Sequence, residues 1–114
     1  MKEVKIDLKI NDYELTTTGY INNNILSFKD KDEQNTNIIY DFNNNTLIRN
    51  NQEIQIKLFF EVQDNNVEYL LKENNKKFYM QLEKISLHKD KTSVIIKYRI
   101  EDTDFILNLS YMEA

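Results

Sequence analysis

Apolar and polar residues alternate with a period of two along almost the whole chain, most cleanly from Ser93 to Met112. Val94, Ile96, Tyr98 and Ile100 point one way, and Ser93, Lys97, Arg99 and Glu101 the other. The polar run Glu101-Asp102-Thr103-Asp104 reverses the chain, after which Phe105, Leu107, Leu109 and Tyr111 restore the apolar stripe. Such a period marks half-buried β-strands, because successive side chains leave opposite faces of a pleated backbone.

The same unit recurs upstream. Lys2 to Ile10 carries Val4, Ile6, Leu8 and Ile10 on one face, and Asp12 to Thr18 returns through Tyr13, Leu15 and Thr17. Gly19 follows where this second strand is expected to end, at a bend or bulge. Further strands are predicted at Ile25 to Phe28, Thr36 to Phe42, Thr46 to Arg49, Glu53 to Val62 and Val67 to Lys72. From Lys77 to Leu87 the stripe runs through Phe78, Met80 and Leu82, then slips to Ile85 and Leu87. A slip by one residue predicts a β-bulge near Glu83 and Lys84. No window repeats apolar residues at helical spacing.

Consecutive antiparallel strands joined by short turns form a meander, which avoids exposed edges most simply by closing on itself. The expected fold is therefore all-β, a single domain over residues 1–114, built as an antiparallel up-and-down β-barrel of about eight to ten strands. A two-sheet sandwich is the alternative. An outer-membrane barrel would carry the same period with its faces exchanged. The opposite stripe here holds charges of both signs, so the apolar face is expected inward.

Composition changes the picture in three places. The chain has no proline and one glycine, so the usual turn residues are missing and asparagine takes their place. The runs at Asn22-Asn24, Asn43-Asn45, Asn50-Asn51, Asn65-Asn66 and Asn74-Asn75 fall between strands, where asparagine tolerates positive φ best among residues with a side chain. The absence of cysteine removes disulfide and thiol chemistry and fits a reducing compartment. Together with a first strand that alternates charged and apolar residues instead of forming a signal segment, this predicts a cytoplasmic protein. The net charge of −4, with basic residues interleaved among acids, argues against nucleic acid as a partner, and no apolar run suits a membrane.

The order of elements resembles a family. Thr17-Thr18-Gly19-Tyr20, Leu26-Ser27-Phe28, Leu47-Ile48-Arg49, Phe78-Tyr79-Met80-Gln81-Leu82 and Ile96-Lys97-Tyr98-Arg99-Ile100, before a last amphipathic strand, are similar to the YwiB-like bacterial proteins, a family defined as a domain of unknown function. The resemblance implies a calycin-like, or lipocalin-like, β-barrel without an established activity. It also implies by analogy a small apolar molecule bound in the barrel mouth. Arg49 matches the family's arginine in the middle strands. Asn51 stands where a glycine usually follows it, and Asn74-Asn75 replace a glycine between later strands.

Candidate chemistry is sparse. His88, the only histidine, falls just past a strand end beside Lys89-Asp90-Lys91 and reads as a surface residue. It has no second histidine or cysteine with which to build a zinc site, and no nucleophile has a recognisable partner. Asp30, Asp32 and Glu33 lack the remaining ligands of a calcium loop and read as a solvated turn, as do Asp102 and Asp104. The chain is expected not to be an enzyme and to use no cofactor or metal. Arg49 shares a face with Leu47; if it points inward it needs a carboxylate partner or a ligand anion, and if the short strand is out of register it lies in water. Tyr40, Tyr69, Tyr98 and Tyr111 share the inward stripe, as core filling or, with Arg49, as the lining of a cavity.

Two functions remain. One is a binding module for a small apolar or amphipathic ligand in the barrel mouth, held by Arg49, Tyr40, Tyr69 and Tyr98. The other is a filled scaffold that acts through protein contacts. For the second, Phe59, Leu70, Tyr79, Ile95 and Ile106 lie outside the main stripe, and if their strands are neighbours they form an outer apolar patch suited to a homodimer.

Overall fold

The alternating stripes fold as the pattern requires, into a continuous antiparallel sheet whose apolar face turns inward. The computed structural model describes residues 1–114 and contains no helix. Its eleven strands are β1 (Lys2–Ile10), β2 (Tyr13–Asn22), β3 (Ile25–Lys29), β4 (Asn37–Asp41), β5 (Thr46–Asn50), β6 (Ile54–Phe59), β7 (Val67–Leu71), β8 (Lys76–Met80), β9 (Leu82–Lys89), β10 (Ser93–Ile100) and β11 (Thr103–Glu113). They hydrogen-bond in the order β8-β7-β6-β5-β4-β3-β2-β1-β11-β10-β9. Every strand therefore pairs with its sequence neighbour except at β8/β9, and β1 pairs with β11, for example Leu8 opposite Leu109. The result is an up-and-down, nearly closed β-barrel. No helix is long and apolar enough to cross a membrane.

The strand count exceeds the expected eight to ten because the run from Lys77 to Leu87 is two strands. β8 pairs with β7, and after Gln81 the same run continues as β9 and pairs with β10. The chain closes the barrel through its own continuity and leaves one side of β8 and one side of β9 without a strand partner. Side chains hold this corner. Leu82 N donates to Asn66 Oδ1 (2.6 Å), Asn65 N donates to Gln81 Oε1 (3.0 Å), and Gln81 Nε2 donates to the Gln63 carbonyl (2.6 Å). The bulge expected at Glu83-Lys84 is present: Arg99 faces Glu83 while Lys97 faces Ser86, so Lys84 and Ile85 together oppose Tyr98, with Lys84 at φ 52°.

Asparagine does the work of glycine at the turns. Of the nine residues with a side chain at positive φ, seven are asparagine: Asn11, Asn23, Asn24, Asn35, Asn45, Asn65 and Asn75. Asn23 and Asn24, both left-handed, make a two-residue hairpin that suits the twist of β2 and β3. The Asn50-Asn51 run differs. Asn51 is buried, its side-chain oxygen accepts from the Glu53 and Ile54 amides, and its Nδ2 donates to Thr36 Oγ1 (3.1 Å) and Gln34 Oε1 (3.0 Å).

Gly19 is a correction of another kind, since it lies inside β2 and not at its end. The β2–β3 ladder begins only at Tyr20, so β2 peels away from β3 at the glycine. The long strand expected over Glu53 to Val62 stops at Phe59, because Phe60 to Asn66 forms the turn into β7.

Nineteen buried apolar side chains fill the interior. One aromatic group joins Tyr40 to Phe42 and Phe42 to Tyr111, with ring centroids 4.9 and 5.8 Å apart. A second joins Phe60 to Tyr98 (5.3 Å) and Tyr98 to Phe105 (5.2 Å, stacked). Lys89 Nζ crosses from β9 to donate to the Phe42 carbonyl at 2.6 Å, tying elements that are far apart in the strand order.

Candidate functional site

Register decides where Arg49 points. It stands opposite Ile38 on β4 and Ile56 on β6, both on the inward stripe, so its side chain leaves the inner face of β5. An inward guanidinium needs a counter-charge, and Asp30 provides it: Arg49 NH2 donates to Asp30 Oδ2 at 3.2 Å. The Asp30 side chain is 4% exposed and that of Arg49 40%. Tyr13, at the start of β2, donates its hydroxyl to the other oxygen, Asp30 Oδ1. Burial, and then the bond to Asp30, push the Tyr13 hydroxyl up to about 12. The Lys31 amide also donates to Asp30 Oδ1 (2.7 Å).

Asp30 therefore departs from the solvated turn expected of it. Its neighbour Asp32 faces solvent, and its carboxyl is held below the usual range by the Thr36 hydroxyl (2.6 Å) and amide (2.9 Å). An open cleft of about 430 Å³, bordered by Tyr13, Leu15, Asp30 and Arg49 among others, lies where β2 has parted from β3.

Arg49 also belongs to a row of inward side chains that crosses the sheet: Phe28, Ile38, Arg49, Ile56, Tyr69 and Phe78, each opposite the next on successive strands. Directly opposed residues in an antiparallel sheet lie within contact distance. Burial falls along this row, from Phe28 at 5% exposed, through half-buried Ile56 and Tyr69, to Phe78 at 41%. The adjacent row Leu26, Tyr40, Leu47, Leu58 and Val67 is sealed. On the other side Ile54 and Leu71, opposite each other, are again half-buried. One end of the barrel is thus closed and the other opens over the inner face of β6, β7 and β8.

The four residues expected to hold a ligand separate on these grounds. Arg49 and Tyr69 share the open row. Tyr98 is buried between Phe60 and Phe105; burial pushes its hydroxyl up to about 12, against the lowering effect of the nearby Arg49 charge. Tyr40 lies in the sealed row and donates to Asn45 Oδ1 at 3.0 Å, and burial raises its hydroxyl well above the ordinary value. It is a core residue.

His88 is exposed on the outer face opposite Ile95. No group of three or more acidic or histidine side chains gathers as a metal site. The outer apolar residues fall into two groups, on β6 to β8 and on β10 to β11, which share no hydrogen-bonded strand pair because the unpaired β8/β9 seam and β9 itself come between them. Phe59 and Leu70 are half-buried and Tyr79 is exposed in the first; Ile95 and Ile106 are exposed in the second.

Comparison with protein-family models, with curated proteins and with solved structures finds no match to this chain.

Proposed function

We propose that the chain is a binding module for a small amphipathic ligand seated on the open inner face of β5 to β8. The observation that carries this function is the row from Phe28 to Phe78, in which apolar side chains face the barrel interior yet stay partly exposed beside one guanidinium. An apolar ligand body would cover Ile56, Tyr69 and Phe78. Arg49 engages Asp30 through one nitrogen, and a guanidinium carries five N–H donors, so an acceptor head group has donors to meet. The Asp30 carboxylate offsets the Arg49 charge, which favours a hydrogen-bonding head over a second full anion. The resemblance to YwiB-like proteins implies a lipocalin-like barrel, and by analogy a small apolar molecule in its mouth.

Nile red, a neutral apolar probe whose ring carbonyl is a hydrogen-bond acceptor, tests the site. The expected result is a saturable fluorescence increase with native near-ultraviolet circular dichroism, weakened about tenfold by Arg49→Ala and lost in Phe78→Ser. Equal affinity in wild type and both variants overturns the assignment. Gentle and denaturing mass spectrometry of the protein purified from cells adds a direct readout, since a small mass released on denaturation identifies the ligand class. A chain that carries no such mass and ignores the probe favours the filled scaffold, whose work would lie on its surface.

A further inference from the structure

The unpartnered side of β8 offers a row of backbone N–H and C=O groups, and its two faces carry Phe78 and Tyr79, 41% and 54% exposed. We infer that β8 pairs antiparallel with β8 of a second copy, about a two-fold axis at Phe78, to form a homodimer with a continuous sheet.

Register makes the second copy the fitting occupant. With Phe78 opposite its symmetry mate, Lys77 stands opposite the partner copy's Tyr79 and Lys76 opposite its Met80. No like charges face each other, and two lysine–aromatic pairs form across the seam. Lysines on an edge strand usually deter pairing; here they deter every register that aligns them and permit the symmetric one, and Lys77 is already matched within its own chain by Glu68 at 3.2 Å. A two-fold contact of one strand with itself closes after two copies, so the edge is capped and does not propagate. The other free edge, β9, is interrupted by the bulge at Lys84, a device that blunts strand addition. β8 has no bulge in its pairing with β7. Phe78 also belongs to the proposed ligand row, so the dimer is tested on the ligand-free chain by sedimentation, with charge variants at Lys77 and Tyr79, which lie outside that row.

Three measurements decide it. In sedimentation, wild type runs as a dimer at high micromolar concentration. Tyr79→Lys gains Glu68 as a partner within its own chain but faces Lys77 of the other copy twice, and raises the dimer dissociation constant at least about tenfold. Adding Lys77→Glu to Tyr79→Lys restores the dimer. Because the chain has no cysteine, a single introduced one reports position directly. Phe78→Cys forms an interchain disulfide on mild oxidation, whereas Lys76→Cys, whose symmetry mate is four residues away across the seam, does not. A wild type that stays monomeric leaves the edge to some other strand and overturns the inference. So does a Tyr79→Lys dimer of undiminished affinity, or cross-linking through Ile106→Cys instead of Phe78→Cys, which would place the contact on the β10–β11 face.

Discussion

At Gly19 the backbone torsion φ is not positive, so conformational freedom does not explain the only glycine in the chain. Space does. A Cβ there would lie 2.4 Å from the Ser27 carbonyl oxygen, 2.5 Å from Ile6 Cδ1 and 2.8 Å from Phe28 Cβ. The Ile6 methyl has some room to rotate away, but Ser27 O is backbone of the adjoining strand. Gly19→Ala should therefore part β2 from β3 further and cost about 1–3 kcal/mol, the usual range for overpacking. A urea denaturation series followed by circular dichroism measures it, and an unchanged midpoint would mean that the strands separate freely. Arg49 and Asp30 teach the complementary lesson about what a sequence discloses. The alternation of Leu26 and Phe28, carried on by two residues, points Asp30 inward toward the strand face that holds Arg49. What hid it was composition: Asp30, Asp32 and Glu33 resemble a hydrated turn. The burial of Asp30 depends on an arginine that alternation alone left either inward or in water. Tyr13 was legible as an inward residue, but its bond to Asp30 required knowing that β2 parts from β3 and so reaches the turn after β3.

Among the elements, the corner between β8 and β9 decides whether the barrel closes. Asn66 is buried there; its Oδ1 accepts from the Leu82 amide and its Nδ2 donates to the Val62 carbonyl at 2.9 Å. Leu82 is itself buried, so Asn66→Ala leaves a buried amide unpaired and should cost about 1–3 kcal/mol. Hydrogen exchange at the Leu82 amide is the specific readout and should accelerate well beyond the amides of β1. Exchange at the wild-type rate would show that another acceptor replaces Asn66. Alternation located ten of the strands and the bulge at Lys84, because a bulge shifts the phase of the apolar stripe. It could not locate this corner. Phe78, Met80 and Leu82 stay in phase through Gln81, and exchanging β7 for β10 as neighbour changes which strand a residue meets, not which face it uses. The free edges follow from the same exchange, which is why the closed barrel expected from the pattern gave no hint of them.

At the scale of the whole molecule the two ends of the barrel differ, and titration should expose the difference. Tyr13, Tyr40 and Tyr98 each carry a neutral hydroxyl whose ionisation is opposed first by burial. Their folded values lie above the ordinary 10.0, with Tyr13 and Tyr98 at about 12 and Tyr40 higher still. The folded chain therefore holds these protons more tightly than the unfolded chain. Linkage then fixes the sign: the stability they contribute is fully present below pH 10 and falls as pH rises from 10 through about 12. On the acid side the groups shifted downward are Asp32, Asp90, Asp104 and Glu113, all at the surface. Their contribution is present above the ordinary carboxylate value and fades as pH drops through their lowered ones, and solvent screening keeps it small. These groups should thus make stability decline shallowly in acid and steeply in alkali. Tyr98→Phe, which keeps the ring between Phe60 and Phe105, should flatten the alkaline limb, and Tyr13→Phe should flatten it while also freeing Asp30 Oδ1 at the open end. Urea midpoints across the alkaline range, with phenolate absorbance recorded in parallel, measure both slopes. If stability stays level between pH 10 and 12 while phenolate forms, the Tyr40 and Tyr98 hydroxyls are reached by solvent in the folded state. The packed interior between the aromatic groups would then be far looser than the closed end of this barrel implies.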